Sequence, residues 1–206
     1  MLKKTVLFLS AVLLCACAGV KQIPPDARGY KQPHYFARGE ELAAFKVLAQ
    51  FSDQYWQGVL RVKKVGPQDY DVLVLGDGAY KMMDAVVTPQ GVAFRYLYKD
   101  ADTAAVRGRI TQFLNLLLME PGVFKSIKEK KDSVQLTYEG TGAKVRYTYA
   151  PGNPWAESAQ SVTLLNTAKL SYGEYTPVGE DDGQIPHVLV YRDGGLTLDM
   201  TLISLR

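Results

Sequence analysis

Residues 102–119, with the sequence DTAAVRGRITQFLNLLLM, decide the fold of this chain because helical spacing is found there and not in the runs around them. Five apolar side chains recur at intervals of three or four residues, as in an amphipathic helix: Val106, Ile110, Phe113, Leu114 and Leu117. Asp102 stands where a capping residue is expected, and Pro121-Gly122 ends the pattern. The turns at 116–119 are apolar on every side, so we expect this end of the helix to be deeply buried.

The segments on either side of this helix, from about Glu41 onward, are typical of antiparallel sheet. They are short runs rich in Val, Leu, Tyr and Thr, separated at short intervals by Gly, Pro and Asp turn signals. In one of them the alternation predicts that Phe94, Tyr96 and Tyr98 share the buried face, with Leu97 on the opposite face. The same period of two recurs in three later runs: 134–139, 144–149 and 196–202.

Packing the sheet against the helix lets each cover the apolar face of the other. The predicted fold is therefore mainly β within the α+β class, a bent antiparallel sheet or incomplete barrel that wraps a central amphipathic helix. We expect residues 41–206 to form this domain, and a chain of this length supports one domain with a real core.

The N-terminus is typical of a secretory signal, with Lys3 and Lys4 followed by the apolar run 5–14. This run is too short for a transmembrane helix, which needs about 20 apolar residues. The following residues, Leu14-Cys15-Ala16-Cys17, resemble the cleavage site of bacterial lipoproteins. The resemblance implies that residues 1–16 are a signal peptide and that acyl chains such as palmitate modify Cys17. The alternative is a free or disulfide-bonded pair of Cys15 and Cys17 in an exported protein.

Several acyl chains on Cys17 would anchor the protein stably in a membrane. The next residue is Ala18, not the Asp that retains enterobacterial lipoproteins at the inner membrane. The resemblance therefore implies attachment to the inner leaflet of a bacterial outer membrane, with the domain facing the periplasm. Residues 17–40 then form the lipidated Cys and a Pro-rich flexible tether, unless Tyr30, Tyr35 and Phe36 dock onto the domain.

Composition excludes several classes of function. The chain has 24 Lys and Arg against 21 Asp and Glu, and removal of Lys3 and Lys4 would leave 22 against 21. That balance gives no basic footprint for nucleic acid.

Acylation of Cys17 would leave no thiol for a disulfide or for catalysis. His34 and His187 have neither metal-ligand spacing nor a motif nucleophile nearby, so we expect neither an enzyme nor a cofactor.

Three charged groups have a functional and a structural interpretation. Asp100 and Asp102 are two carboxylates that could serve a metal or acid/base chemistry, but a helix start also favours Asp for capping. Arg107 and Arg109 could bind a phosphate headgroup, although surface arginines more often serve solvation. The acidic turn 180–183 has too few oxygen ligands for calcium, which favours a solvated loop.

Three passages resemble the outer-membrane lipoprotein localisation proteins LolA and LolB and small lipoproteins related to them: 71–84, 96–102 and 185–187. In that family a bent, incomplete antiparallel barrel is lidded by helices, and the apolar cavity between them accepts acyl chains. The turns 66–69 and 88–91 lack the large apolar tip with which LolB inserts its cargo.

The resemblance implies that this chain is an outer-membrane lipoprotein that binds an acyl chain, lipid or lipidated ligand for localisation or transfer. One alternative is a structural or assembly lipoprotein that binds an envelope protein partner. Another alternative is a hydrolase or transferase acting on lipid or glycan, for which no catalytic residues can be named from the sequence. The predicted ligand-binding residues are apolar or aromatic and would otherwise be ordinary core: Phe94, Tyr96, Tyr98, Ile110, Phe113, Leu114 and Leu117.

Overall fold

The computed structural model describes residues 27–37, 39–51, 53–140, 143–163, 166–177 and 184–206. The expected signal peptide, Cys17 and the acidic turn 180–183 lie outside these residues. No helix in the described part of the chain is long and apolar enough to cross a membrane.

The described residues form twelve strands in one antiparallel sheet, together with one α-helix. Helix α1 spans Ala104–Leu118. The strands, β1 to β12 in chain order, are Leu42–Phe51, Gln54–Lys64, Tyr70–Gly76, Lys81–Thr88, Gly91–Leu97, Val123–Lys130, Ser133–Gly140, Ala143–Tyr149, Ser158–Val162, Thr167–Pro177, Gln184–Arg192 and Leu196–Leu205.

The order of strands in the sheet shows two meanders that meet in the middle. The sheet runs β5-β4-β3-β2-β1-β12-β11-β10-β9-β8-β7-β6, so the first and last strands pair with each other and β5 and β6 form the two edges. The register of the central pair places Val47 opposite Met200 and Phe51 opposite Leu196. Helix α1 is the connection between the two edge strands.

The sheet is bent around this helix and stays open. Twelve flat strands would place the edges about 50 Å apart at a spacing of about 4.8 Å. The 15 residues of α1 extend only about 22 Å at about 1.5 Å per residue. Gly91 at one edge and Gly122 at the other line the same cavity beside α1. The predicted architecture of an incomplete barrel around one helix is thus confirmed.

The core lies between the inner face of the sheet and α1. The alternation predicted for 134–139, 144–149 and 196–202 is confirmed, since Leu136, Tyr147 and Leu198 in these runs are buried. The apolar end of the helix is also buried as predicted, with Leu116, Leu117 and Leu118 each at most 8% exposed.

The alternation predicted for strand β5 is wrong beyond Phe94. A β-bulge at Arg95 shifts the register, so that Phe94 pairs with Ala85 but Tyr96 pairs with Asp84 and Leu97 with Met83. Arg95 turns outward and binds Asp84 and Asp71 on the outer face. The inner position passes to Leu97, which is buried. Tyr96 is 42% exposed and Tyr98, just beyond the strand, is 39% exposed.

The residue that caps α1 also differs from the prediction. Thr103 is the N-cap, and its hydroxyl accepts a hydrogen bond from the Val106 amide at 3.3 Å. Asp102 instead accepts two hydrogen bonds from the Arg107 guanidinium, at 2.5 and 2.9 Å. This pairing lowers the pKa of Asp102. The carboxylate is therefore a surface ion-pair partner and does not cap the helix.

The segment 27–37 packs against the sheet, which decides between the two alternatives for this part of the predicted tether. Tyr35 and Phe36 are each 3% exposed. The Tyr35 hydroxyl donates to the carbonyl of Pro186 at 2.9 Å, and the Phe36 ring contacts Tyr70. Lys31 forms a parallel bridge with Trp155. Residues 27–37 are therefore packed against the sheet and are not a free tether.

We expect Phe36→Ala to lower the free energy of unfolding by about 3 kcal/mol or more, because it removes a buried ring and leaves a cavity. Urea denaturation measures this loss. Tyr96→Ala is the matched control, since the Tyr96 side chain lies on the outer face and should contribute under about 1 kcal/mol. Equal losses in the two variants would contradict docking of the segment.

His34 should make the same segment sensitive to acid. Its Nδ1 accepts a hydrogen bond from the Phe36 amide, and burial, followed by the charge of Lys64, lowers the His34 pKa despite nearby Glu40 and Glu120. A lowered pKa in the folded state means that protonation favours unfolding. Stability is therefore retained above the ordinary pKa of 6.5 and falls as pH drops through it.

His34→Gln should reduce the difference in urea midpoint between about pH 7.5 and about pH 5.5, because glutamine accepts no proton in this range. A difference as large as that of the unmodified protein would assign the acid sensitivity to another group.

Candidate functional site

The main candidate site is an apolar cavity of about 720 Å³ between α1 and the inner face of the sheet. Its volume is within the range of about 300 to 1,000 Å³ that is common for ligand pockets. It lies at the end of the sheet that holds the β1–β2 and β3–β4 turns. Segment 27–37 covers the other end, where its Phe36 carbonyl accepts from Lys64.

The walls of the cavity follow from the period-two pattern of the central strands. Val47 in β1 pairs with Met200 in β12, and Leu60 in β2 pairs with Phe45, two positions before Val47. Val47, Leu60 and Met200 all project from the inner face. From the helix, Val106, Ile110 and Phe113 face the same space. Further apolar lining comes from residues of the strands and their ends: Phe51, Trp56, Val74, Met82, Met83, Leu97, Leu196 and Leu198.

The mouth of the cavity is formed by exposed aromatic rings and two carboxylates. Tyr55, Tyr80 and Tyr98 line the cavity and are 66%, 49% and 39% exposed, respectively. Asp53 and Asp100 line it as well. Asp100 raises the pKa of Tyr98 through its charge and a hydrogen bond, and Tyr80 contributes in the same direction. Tyr80, Tyr98 and Asp100 are therefore close enough to interact.

Arg109 projects from α1 into the cavity wall beside a buried carboxylate. Its guanidinium lies over the ring of Phe51, 5.6 Å from the centroid. Its Nη1 is 3.8 Å from Oδ1 of Asp193, whose side chain is fully buried. This arrangement requires glycine at position 195, because a Cβ there would stand 1.7 Å from the same Nη1. The cavity wall thus includes one guanidinium, that of Arg109, whose positive charge is offset by the buried carboxylate of Asp193.

Asp193 holds the β11–β12 turn together. Its Oδ1 accepts hydrogen bonds from the amides of Gly195 at 3.2 Å and Leu196 at 2.9 Å. Its Oδ2 accepts from the Tyr191 hydroxyl at 3.1 Å, and that hydroxyl also lies 3.2 Å from the Arg109 carbonyl. Burial, together with the charge of Asp193, raises the pKa of Tyr191. The network joins helix α1 to the last hairpin.

A second cavity, of about 860 Å³, lies on the other side of α1. Small and amide side chains of the helix line it, among them Gly108, Gln112 and Asn115. Gln112 donates to the Ser161 carbonyl at 3.4 Å and accepts from Asn166 at 3.2 Å. This cavity is more polar than the first, so it is the weaker candidate for an apolar ligand.

The predicted ligand-binding residues fall into three groups. Tyr98, Ile110 and Phe113 line the apolar cavity. Leu114 and Leu117 are buried in the packed core. Phe94 lies under the Arg107 guanidinium, 5.0 Å from the ring centroid, and Tyr96 is on the outer face. The binding role of these residues remains a prediction, and the geometry favours the first group.

Sequence reasoning missed most of the cavity lining because the residues are dispersed over six strands. Trp56, Met82 and Met83 had no motif to identify them, although the pairing of Val74 with Met83 would have placed them once the register was known. Arg109 was considered as a headgroup ligand, and it does line the cavity. The exposed Tyr55 and Tyr80 flank turns and carry no periodic signal.

The described residues offer no arrangement typical of a metal centre. No group of three or more His, Cys, Asp or Glu side chains among them could hold a metal ion. Asp100 and Asp102, considered as a carboxylate pair, are separated in role, since the first lines the cavity mouth and the second binds Arg107. The site is therefore an apolar cavity with a polar opening.

No protein-family model and no curated protein matches the sequence. Solved structures share the fold. A LolA superfamily protein from Nitrosomonas europaea is similar with a TM-score of 0.57 and 9% identity, over 83% of this chain and 87% of that one. A domain described as an outer membrane lipoprotein-sorting protein, from Vibrio parahaemolyticus, is similar with a TM-score of 0.50 and 10% identity, over 82% and 85%. The expected likeness to this superfamily is confirmed for the fold.

Asp193→Ala should lower the free energy of unfolding by about 2 to 4 kcal/mol, because two backbone amides and the Tyr191 hydroxyl would lose a buried acceptor. Urea denaturation followed by circular dichroism measures the loss. Asp199→Ala is the control, since Asp199 is exposed on the outer face of β12 and should change stability by under about 0.5 kcal/mol. A loss no larger than that of the control would contradict the role assigned to Asp193.

Proposed function

We propose that this protein is a lipoprotein of the bacterial cell envelope that binds an acyl chain, a lipid or a lipidated ligand in the apolar cavity beside α1. The observation that carries the proposal is an open space of about 720 Å³ between α1 and the central strands, lined mainly by apolar side chains. The fold shared with a LolA superfamily protein and a lipoprotein-sorting domain supports the same class of ligand.

The energetics of burial fit such a ligand. Each buried methylene contributes about 0.8 kcal/mol, so about 12 methylenes contribute about 10 kcal/mol. This exceeds the lower end of the association cost, which is about 4 kcal/mol. The methionines in the lining, Met82, Met83 and Met200, are flexible and polarisable, and they adapt to chains of different shape. Selectivity for one acyl length is not expected.

Attachment at Cys17 to the inner leaflet of the outer membrane is part of this proposal. The docked segment supports a short distance between domain and membrane. Nine residues lie between Cys17 and Ala27, the first described residue, and the ten residue-to-residue steps that join them extend at most about 35 Å. A protein held so near one membrane suits an acceptor or assembly component better than a carrier that travels between membranes.

We propose binding and not catalysis as the activity. The described residues that line the cavity are apolar, aromatic or carboxylate side chains with Gln54 and Arg109, and they include no Ser, Thr, Cys, Lys or His side chain. The apolar lining supplies affinity for a chain without a group that would attack it.

A second candidate function is the binding of an envelope protein partner on the outer face of the sheet. Leu48 and Ile203 are exposed there by 46% and 59%, respectively. Crosslinking in cells from a photoreactive group at Leu48 should yield one stoichiometric partner under this alternative. The absence of any crosslinked partner, together with lipid recovered from the purified protein, would favour the cavity.

Ile110→Glu should weaken the binding of a fluorescent fatty acyl probe at least tenfold, because it places a carboxylate in the apolar cavity, where a charge is poorly solvated. Thr111→Glu is the matched control. It adds the same charge one position along the same helix but towards the second cavity. Fluorescence titration measures both affinities. Equal weakening in the two variants, or none in either, would contradict binding in the first cavity.

A further inference from the structure

We propose that the ligand carries a positively charged ammonium headgroup, which the tyrosines and carboxylates at the mouth of the apolar cavity bind. This inference rests on the proposed function, since it assigns the headgroup of the molecule whose chain occupies the cavity. It concerns the groups that surround the opening: Asp53, Tyr55, Tyr80, Tyr98 and Asp100.

The aromatic rings at the mouth are exposed where burial would have been expected. Tyr55, Tyr80 and Tyr98 are three of the eight large hydrophobic residues that are exposed in the described part of the chain, and all three line this one cavity. A tyrosine ring face attracts a cation through its quadrupole, and several rings around one opening are the usual arrangement for quaternary ammonium groups. The apolar body of each ring also contacts the first methylenes of a chain.

The charges that line the cavity favour a cation at the mouth. Asp53 and Asp100 carry negative charge there, and neither forms an ion pair with a described residue. The nearby Lys81 is engaged by Asp84 at 2.8 Å. Lys99 is next to Asp100 in the chain but does not line the cavity. An ammonium group entering the mouth would therefore meet two carboxylates without a competing lysine.

The one cation in the cavity lining does not reverse this balance. Arg109 lies over the ring of Phe51, and its charge is offset by the buried Asp193. Its N–H groups make no hydrogen bond to a described side chain, so they remain able to donate to a neutral acceptor such as an ester or amide carbonyl. A ligand with an ester or amide carbonyl as well as an ammonium group would therefore use both Arg109 and the carboxylates.

An anionic headgroup fits the same site poorly. It would lie among Asp53 and Asp100, and like charges at a few ångströms repel even at high effective dielectric. A neutral sugar headgroup would gain hydrogen bonds from the phenols but none of the electrostatic attraction. The charges at the mouth therefore favour a cationic headgroup over an anionic or a neutral one on the same acyl chain.

The test compares three amphiphiles with one C12 chain, each below its micelle concentration: dodecyltrimethylammonium, dodecyl maltoside and dodecanoate. The protein has two tryptophans. Trp56 lines the cavity, whereas Trp155 lies at the other end of the sheet beside Lys31. Trp155→Phe therefore leaves one reporter at the site. We expect dodecyltrimethylammonium to bind about tenfold more tightly than the neutral maltoside, and this preference to decrease as salt is raised.

Two variants locate the preference. The double variant Asp53→Asn with Asp100→Asn should remove most of it while leaving the affinity for dodecyl maltoside within about twofold, because it deletes both carboxylate charges and leaves the tyrosine rings and the apolar walls unchanged. Asp199→Asn removes a carboxylate charge from the outer face and should keep the preference. Circular dichroism confirms that each variant is folded.

The outcomes separate the two proposals. Equal affinity for all three amphiphiles, tighter binding of dodecanoate, or a preference that largely survives in the double variant would overturn the headgroup assignment and leave acyl binding intact. If none of the three binds, the proposed function itself fails, and the headgroup assignment fails with it.

Discussion

The pairing of the first strand with the last is the constraint on which the rest of the structure depends. Nine residue pairs join β1 to β12, from Ala43 with Leu205 to Phe51 with Leu196, with one register shift between Ala44 and Phe45. Because this pair is at the centre, each half of the chain must meander outward to its own edge, and the link between β5 and β6 must cross from one edge to the other. Only a segment with its own hydrogen bonds can cross an apolar face, since an extended chain there would leave buried amides unpaired. A helix at this position satisfies that requirement.

The uneven character of α1 explains why the crossing leaves a cavity. Its C-terminal turns are apolar on all sides and pack into the sheet, with Leu114 and Leu118 buried. Its N-terminal turns carry Gly108 and the arginines and therefore remain nearer to solvent. The helix covers β9 and β10 closely but stands away from β1 to β4, where Val106 and Ile110 face open space. A helix of uniform apolarity would have filled this space and left no cavity.

The sequence was informative where one physical effect acts alone. Period-two alternation located the strands, and the spacing of Val106, Ile110 and Phe113 located the helix, because burial on one face determines both patterns. It failed where tertiary contacts compete with the pattern. The bulge at Arg95 depends on two aspartates in neighbouring strands, and docking of Tyr35 and Phe36 depends on partners more than 30 residues away, such as Tyr70. The cavity lining has the same origin, since strand register brings its members together and no local motif records it.

The two ends of the inner face differ, and this difference determines at which end the cavity opens. At one end the segment 27–37 fills the space with buried aromatic rings. At the other end the turns after Phe51 and Gly76 present tyrosines to solvent, and Gly76 lies so close to the Tyr80 ring that a Cβ would come within 2.6 Å of it. That contact fixes the ring at the opening. A ligand of the proposed kind would therefore enter by its chain and leave its polar group among the phenols and carboxylates. Headgroup chemistry, more than chain length, should then decide what this cavity retains.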